Sequence, residues 1–407
     1  MVREMKDSGI EWEKSVPLTW NKCRLKDYYT FEKGKNASVY TKNYNGLHKG
    51  IYPVYSGQTE NNGIMGQIDT YDYDIQECLF TTTVGVKVMA PKILKGKFSL
   101  SQNCLIMRNY THYKCFNQFI YYLLFPLFDY EKSKIPSYMQ PSLRIEDLKT
   151  YTFYIPTFTE QQKIASFLDE KTKKIDQEMK RAKSTIKMLD NYKQSVIVKA
   201  VTKGLDSNVE MKDSNIEWIE KIPKNWNIIP FKFVITESNS GEVIDKTWWN
   251  EGEDLLYTCQ KTPMYSNFPN FPKNKRTQKG DLLLTRNATP YVFLPQENAM
   301  YSNVVQRIKI QTDYFDVKYV SYAIKKAADA CGTANGIGIP SYNMNIWDNL
   351  FIPMPSKKEQ QEIASFLDKK IKAIDNSIDA LKRNLHALEK YKKSLIYEYV
   401  TGKKEVS

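Results

Sequence analysis

EQQKIASFLD, Glu160 to Asp169, returns as EQQEIASFLD, Glu359 to Asp368. Nine of ten residues are identical across a spacing of 199 positions, and this doubling governs how the rest of the chain reads. Each copy opens a long helix-forming segment. Thr157-x-x-Glu160 follows Pro156, and Ser356-x-x-Glu359 follows Pro355. This is the capping-box pattern, in which the hydroxyl accepts from the N3 amide and the glutamate reaches back to the cap amide. Gly204 and Gly402 stand near the far ends, as left-handed C-caps require. Between them a seam recurs alternately four and three apart. In the first copy it is Leu168, Thr172, Ile175, Met179, Ala182, Ile186, Leu189 and Val196. In the second it is Leu367, Ile371, Ile374, Ile378, Leu381, Leu385, Leu388 and Leu395. That spacing, held over about four heptads, predicts a coiled coil. Lys193 and Lys392 interrupt the two seams at the same point.

The doubling extends outward. MKDSGIEW (Met5 to Trp12) returns as MKDSNIEW (Met211 to Trp218), followed by Val16-Pro17 and Trp20 in one copy and Ile222-Pro223 and Trp226 in the other. Past the EQQ segments, Asp176 matches Asp375, Tyr192 matches Tyr391, Ser195 matches Ser394 and Val201-Thr202 matches Val400-Thr401. The period is too long for a solenoid. It describes one unit written twice, a globular domain followed by a long helix. The expected organisation is a first domain over 1–155, a helical spacer over 156–205, a second domain over 206–353 and a second spacer over 354–407. The fold class is α+β. Two globular α/β domains are separated by an antiparallel pair of long helices, with a pseudo-twofold internal repeat. Helices of about 44 residues run roughly 65 Å at the standard rise. A domain of about 140 residues, with a radius of gyration near 14 Å, bridges two helix ends far more easily if the helices are antiparallel. Pairing between two chains is the rival arrangement. Residues of roughly 21–150 and 227–345 share little sequence. Both hold β-like runs, CLFTTTVGVKVMA (Cys78 to Ala90) and GDLLLTRNATPYVFLP (Gly280 to Pro295), and a late amphipathic helix near Phe116–Phe125 and Phe315–Ala328.

A chain of 407 residues fits two to three domains at about 150 residues each. Its 59 basic and 46 acidic residues leave a net charge of +13, which favours a polyanionic partner, nucleic acid ahead of a membrane surface. A merely soluble basic protein is the plainer alternative. MVREMKDSGI, Met1 to Ile10, lacks the apolar run of a signal peptide. FIYYLLFPLF, Phe119 to Phe128, is too short to span a bilayer and reads as a buried helix. The cysteines Cys23, Cys78, Cys104, Cys115, Cys259 and Cys331 form no CxxC pair, as expected of free thiols in a cytosolic protein. His48, His112 and His386 show no metal spacing, so no metal site is expected. GTANGIG, Gly332 to Gly338, fits neither a dinucleotide fingerprint nor a P-loop and reads as a flexible loop. The chain has no Asp/Asn-Pro-Pro-aromatic tetrad. Glu4-x-Lys6 and Glu210-x-Lys212 lack the companion acid of a nuclease centre and read as charged solvated turns. No catalytic residue is expected.

At the EQQxIASFLD repeats and the IEWxxx(V/I)PxxW starts, the chain resembles the specificity subunit of type I DNA restriction–modification systems along essentially its whole length. The resemblance implies two target-recognition domains, each reading one half of a split sequence in double-stranded DNA. It implies helices that space the readers and dock modification methyltransferase subunits, expected to number two. Restriction endonuclease/translocase subunits complete that assembly. No cofactor is expected on this chain, because S-adenosylmethionine, ATP and magnesium belong to the partners. The subunit itself would be non-catalytic and cytoplasmic, with no membrane partner. In-phase insertions within 175–200 are expected to lengthen the recognised gap. A free-standing DNA-binding regulator and a coiled-coil scaffold with protein-binding domains are the competing readings.

DNA recognition needs donors and acceptors at base edges and cations at phosphates. In the first domain the candidates are Thr81, Thr82, Thr83 and Lys87 in a β-loop, with Lys92, Lys95 and Lys97 for phosphates. In the second, Thr285, Arg286, Asn287 and Thr289 occupy a comparable post-strand loop beside the basic cluster Lys273, Lys275 and Arg276. Before the helices, Gln140, Ser142 and Arg144 correspond by offset to Ile339, Ser341 and Asn343. A surface polar group without any contact is the alternative at each position. Lys171, Lys173, Lys174, Lys180, Lys183 and Lys187 read as solvated flanks of the coiled coil, some of them able to neutralise DNA.

Overall fold

The computed structural model describes residues 3–57, 61–85, 88–111, 114–287, 289–331 and 342–406. The chain divides into two compact units, Met1–Lys183 with Lys382–Ser407, and Ser184–Leu381. Each unit takes one end of each long helix, α4 (Phe158–Lys203) and α7 (Lys357–Val400).

In the first unit, β1 (Met5–Asp7) and β2 (Ser15–Pro17) form a hairpin, and β3 (Asn21–Arg24) pairs antiparallel with β10 (Thr152–Ile155) just before α4. A six-stranded sheet follows the order β4 (Tyr29–Lys33), β9 (Cys104–Asn109), β7 (Tyr73–Thr82), β8 (Lys92–Leu100), β5 (Lys49–Tyr55), β6 (Ile64–Ile68). Short helix α1 (Lys42–Leu47) lies against β6, and α3 (Ile145–Thr150) lies against the turn Leu25–Asp27. The apolar run at Phe119 lies in α2 (Asn117–Ser133), where Phe119, Leu123, Leu124 and Leu127 are fully buried. Side chains alternate across a strand. Leu79 of β7 joins Leu105 and Met107 against α2 and α4, while Cys78 and Phe80 point into a second core with Phe98 and Ile106. The end of β7 is covered on both faces, which is why Cys78, Leu79 and Phe80 follow one another as an unbroken apolar run.

The second unit repeats this plan with a different sheet. β11 (Met211–Asp213) and β12 (Lys221–Pro223) form the hairpin, and β13 (Asn227–Pro230) pairs with β21 (Phe351–Met354). One sheet runs β14 (Ile235–Ser240), β20 (Val305–Ile310), β17 (Leu282–Thr285), β18 (Val292–Phe293). Another runs β16 (Met264–Ser266), β15 (Trp249–Tyr257), β19 (Met300–Tyr301). Leu282, Leu284 and Ile308 pack on α5 (Val317–Cys331), and Trp347 of α6 (Met344–Asp348) closes that core.

The heptad seam pairs in opposite directions. In the first unit Ile164, Leu168 and Ile175 share a core with Leu395, Ile396 and Val400. In the second, Ile197, Ala200 and Val201 share one with Ile363, Ala364 and Leu367. The start of each helix thus meets the end of the other. Leu168, Thr172, Ile175, Ala182, Leu367, Ile374, Ile378 and Leu395 are buried. Met179, Ile186, Leu189, Val196, Ile371, Leu381, Leu385 and Leu388 are half-buried. Lys193 and Lys392 are not defects in this seam. Lys392 reaches Asp176 at 2.7 Å in the first unit, and Lys193 reaches Asp375 at 2.6 Å in the second. Partly exposed pairs add little energy, but a charged residue at one seam position fixes register and orientation.

The quoted repeat now has a physical reading. Its isoleucine, alanine and leucine (Ile164, Ala165, Leu168; Ile363, Ala364, Leu367) are core. The side-chain oxygen of buried Gln161 accepts from the Phe116 amide at 2.7 Å, and its amide group donates to the carbonyls of Lys114 and Pro156. Gln360 does the same with the Asp316 amide and the carbonyls of Tyr314 and Pro355. Asp169 accepts from Tyr122 at 2.7 Å and Asp368 from Tyr322 at 2.8 Å, each tying the long helix to the domain helix. The capping box is complete only in the second copy, where Ser356 and Glu359 bond reciprocally. In the first, the Glu160 amide donates to Thr157, but its carboxylate turns to Arg3 at 2.5 Å. Lys6 is also not in a solvated turn. It lies on β1 and donates to the Leu18 and Trp20 carbonyls, 2.9 Å each.

Left-handed backbone explains two small sequence choices. Gly9 (φ +64°) and Asn215 (φ +59°) occupy the one position where MKDSGIEW and MKDSNIEW differ, and both residue types tolerate that region. Gly402 has φ +69°, and a Cβ there would lie 2.5 Å from Pro17. Gly402→Ala is expected to cost the first unit about 2 kcal/mol, the left-handed penalty plus displacement of Pro17. Urea unfolding followed on the domain tryptophans measures it, and an unchanged midpoint contradicts it.

Candidate nucleic-acid interface

Each unit has a corner where the chain leaves a central strand, and the two corners share a backbone frame. In the first unit, Thr82 pairs with Cys104 across β7 and β9. The next residue, Thr83, donates its amide to the Asn103 carbonyl and accepts from the Leu143 amide, both at 2.8 Å. In the second, Thr285 pairs with Val305 across β17 and β20. Arg286 donates to the Val304 carbonyl at 2.8 Å and accepts from the Tyr342 amide at 2.7 Å. Each loop then closes back on the strand's last threonine. The Met89 amide donates to the Thr82 carbonyl at 2.9 Å, and the Tyr291 amide donates to the Thr285 hydroxyl at 2.8 Å.

This frame relocates several expected residues. Thr81 and Thr82 end β7 and Thr285 ends β17, so all three are strand rather than loop, with buried side chains. The loops begin at Thr83, itself buried, and at Arg286. The apolar run concealed this, because strand pairing continues into the threonines. Ser142 bridges to Val84, and Gln140 and exposed Arg144 flank it, so the corner and the segment before α4 come together. In the second unit Asn287 and Thr289 are exposed, and Asn343 caps α6 by accepting from the Ile346 amide. Lys87, Ile339, Ser341, His112 and the Gly332–Gly338 stretch lie outside the described residues.

The cations are mostly engaged. Lys95 pairs with Glu77 at 2.9 Å, Lys275 with Glu242 at 2.5 Å and Arg276 with Asp254 at 2.7 Å, while Lys273 is exposed. The expected basic cluster is therefore largely neutralised within its own unit. Lys92 donates to the Asn62 carbonyl, and burial pulls its pKa down. Lys97 stands over the rings of Tyr71 and Tyr52 at 4.6 and 5.8 Å, and hydrogen bonding to Tyr71 raises its pKa. Those tyrosines escaped the sequence reading, and the chain's heavy use of tyrosine was the only signal for them. Lys92, Lys173 and Lys180 line a cleft of about 790 Å³ in the first unit, together with Asp169 and Asp176.

Two stretches, residues 17–188 and 223–386, match the family model described as the type I restriction modification DNA specificity domain. The chain is 22% identical over 419 residues to the type I restriction enzyme MjaVIII specificity subunit of Methanocaldococcus jannaschii, covering 95% of this chain and 93% of that one. It is 24% identical over 353 residues to a putative type I specificity subunit, S.MpnORF507P, of Mycoplasma pneumoniae, covering 85% and 87%. A chain in a solved structure of a type I R-M system aligns with a TM-score of 0.68 at 12% identity, over 95% of this chain and 98% of that one, a likeness of fold.

Proposed function

Because this chain belongs to the type I restriction–modification DNA specificity family and carries its domain twice, we propose that each unit reads one half of a split DNA target. One observation carries this reading. The two units repeat the hairpin, the glutamine contacts and the corner frame, yet differ in sheet and loop residues. A scaffold held constant beneath divergent loops suits two readers of two sequences. The chain contributes recognition and no catalysis. Two modification methyltransferase subunits dock on the helices and supply S-adenosylmethionine, and restriction subunits bring ATP and magnesium. The complex works beside its DNA in the cytoplasm. No helix among the described residues is long and apolar enough to cross a membrane.

Reconstitution tests it. Mixed with a type I modification subunit and S-adenosylmethionine, the chain is expected to direct methylation to one split motif, with binding that weakens steeply as salt rises. Methylation without a motif, or none that depends on this chain, overturns the reading.

A further inference from the structure

We infer that Arg286 is the specificity-determining residue of the second unit, reading the major-groove edge of a guanine from the corner where its backbone is clamped. This rests on the proposal that the unit binds DNA, and it names the residue that chooses a base.

Three observations converge on Arg286. First, its backbone is held at both polar groups, by Val304 and by Tyr342, and the strand before it is anchored where the Trp347 indole donates to the Thr285 carbonyl at 3.1 Å. A side chain rooted in so fixed a backbone starts from one direction, which is what base reading needs. Second, Arg286 differs from Lys275, Arg276 and Arg307. Lys275 and Arg276 are paired with carboxylates, and buried Arg307 donates to the carbonyls of Lys275 and Arg276 and lies 3.8 Å from Asp281. Among the described residues half-buried Arg286 has no ion pair, so its guanidinium charge is left uncompensated within the unit. Third, exposed Asn287 and Thr289 follow it, and Asn343 lies one residue beyond the clamping Tyr342, so the polar groups of this corner sit together.

The chemistry selects the ligand. A guanidinium offers a planar fork of donors that matches guanine O6 and N7 and no other base edge as well. The equivalent position in the first unit holds Thr83, buried and without charge, so the same frame offers a different surface there. The corner is where one scaffold acquires two specificities.

The test uses the full chain assembled with its modification subunit. Methylated sites are mapped for the parent, Arg286→Ala, Arg286→Lys and Arg286→Thr, with thermal unfolding as a control for folding. Arg286→Ala and Arg286→Thr are expected to make one guanine position in one half-target degenerate, with roughly tenfold to hundredfold weaker binding to the parent site. The other half-target and binding to random DNA stay unchanged. Arg286→Lys, which keeps the charge but loses the fork, is expected to relax the same position partially and covers the case in which a neutral residue fails to fold. An unchanged motif overturns the inference. So does an equal loss on parent and random DNA with a shallower salt slope, the signature of a phosphate contact. If the parent assembly methylates no motif at all, the proposed function fails first and takes this inference with it.

Discussion

Glu13→Ile is expected to stabilise the first unit by about 3 kcal/mol at pH 7. Glu13 is fully buried, and neither carboxylate oxygen makes a well-formed hydrogen bond, the Tyr154 backbone being only a weak partner. The matching position in the second copy holds Ile219, also buried, so the site accepts an aliphatic side chain in the same scaffold. Burial pushes the Glu13 carboxyl from 4.5 up to about 8, against the backbone of Tyr154 and the charges of Lys403 and Lys22. A folded-state pKa raised above the unfolded value gives stability that is complete below pH 4.5 and lost as pH rises through about 8. Over that window the wild-type unit loses on the order of 5 kcal/mol, at 1.36 kcal/mol per pKa unit. Thermal unfolding at pH 5 and pH 8.5 makes the comparison. The wild-type midpoint should fall between the two, and the variant's midpoint should hold much more nearly constant from this source. Parallel pH profiles for the two proteins would sink the idea.

Gln161→Leu is expected to destabilise the first unit by about 3–5 kcal/mol, since it strands buried polar groups rather than merely removing a contact. The Phe116 amide at the head of α2 loses its acceptor, and the Lys114 and Pro156 carbonyls lose their donor. Gln360→Leu should do the same to the second unit through Asp316, Tyr314 and Pro355. At roughly 2–4 °C per kcal/mol for a unit of this size, each substitution lowers one transition by around 10 °C. Calorimetry resolves which transition moves. A drop of under 2 °C in either variant would show that water replaces the amide at little cost.

The helices and their seam were legible because periodicity is a local property: Leu168, Ile175, Leu367 and Ile374 announce a buried stripe without reference to anything else. The glutamines were not. Gln161 looks like any polar residue in a first helical turn until Phe116, 45 residues earlier, is brought beside it. Asp176 and Lys392 were visible as repeated residues, but their pairing spans 216 positions and appears only once the helix directions are fixed. At the candidate interface, a threonine following an apolar run gives no sign of where the strand stops, so Thr81, Thr82 and Thr285 passed for loop. Arg276 and Lys275 passed for free cations because Asp254 and Glu242 are distant in sequence.

The first unit is assembled from two stretches of chain far apart in sequence, with Leu395, Ile396 and Val400 completing a core begun by Trp12 and Val16. During synthesis, residues 184–381 can close on themselves while their predecessor still waits with an unfinished apolar surface. The first unit therefore cannot bury that surface until residues 395–400 have been made, however early its other strands are in place.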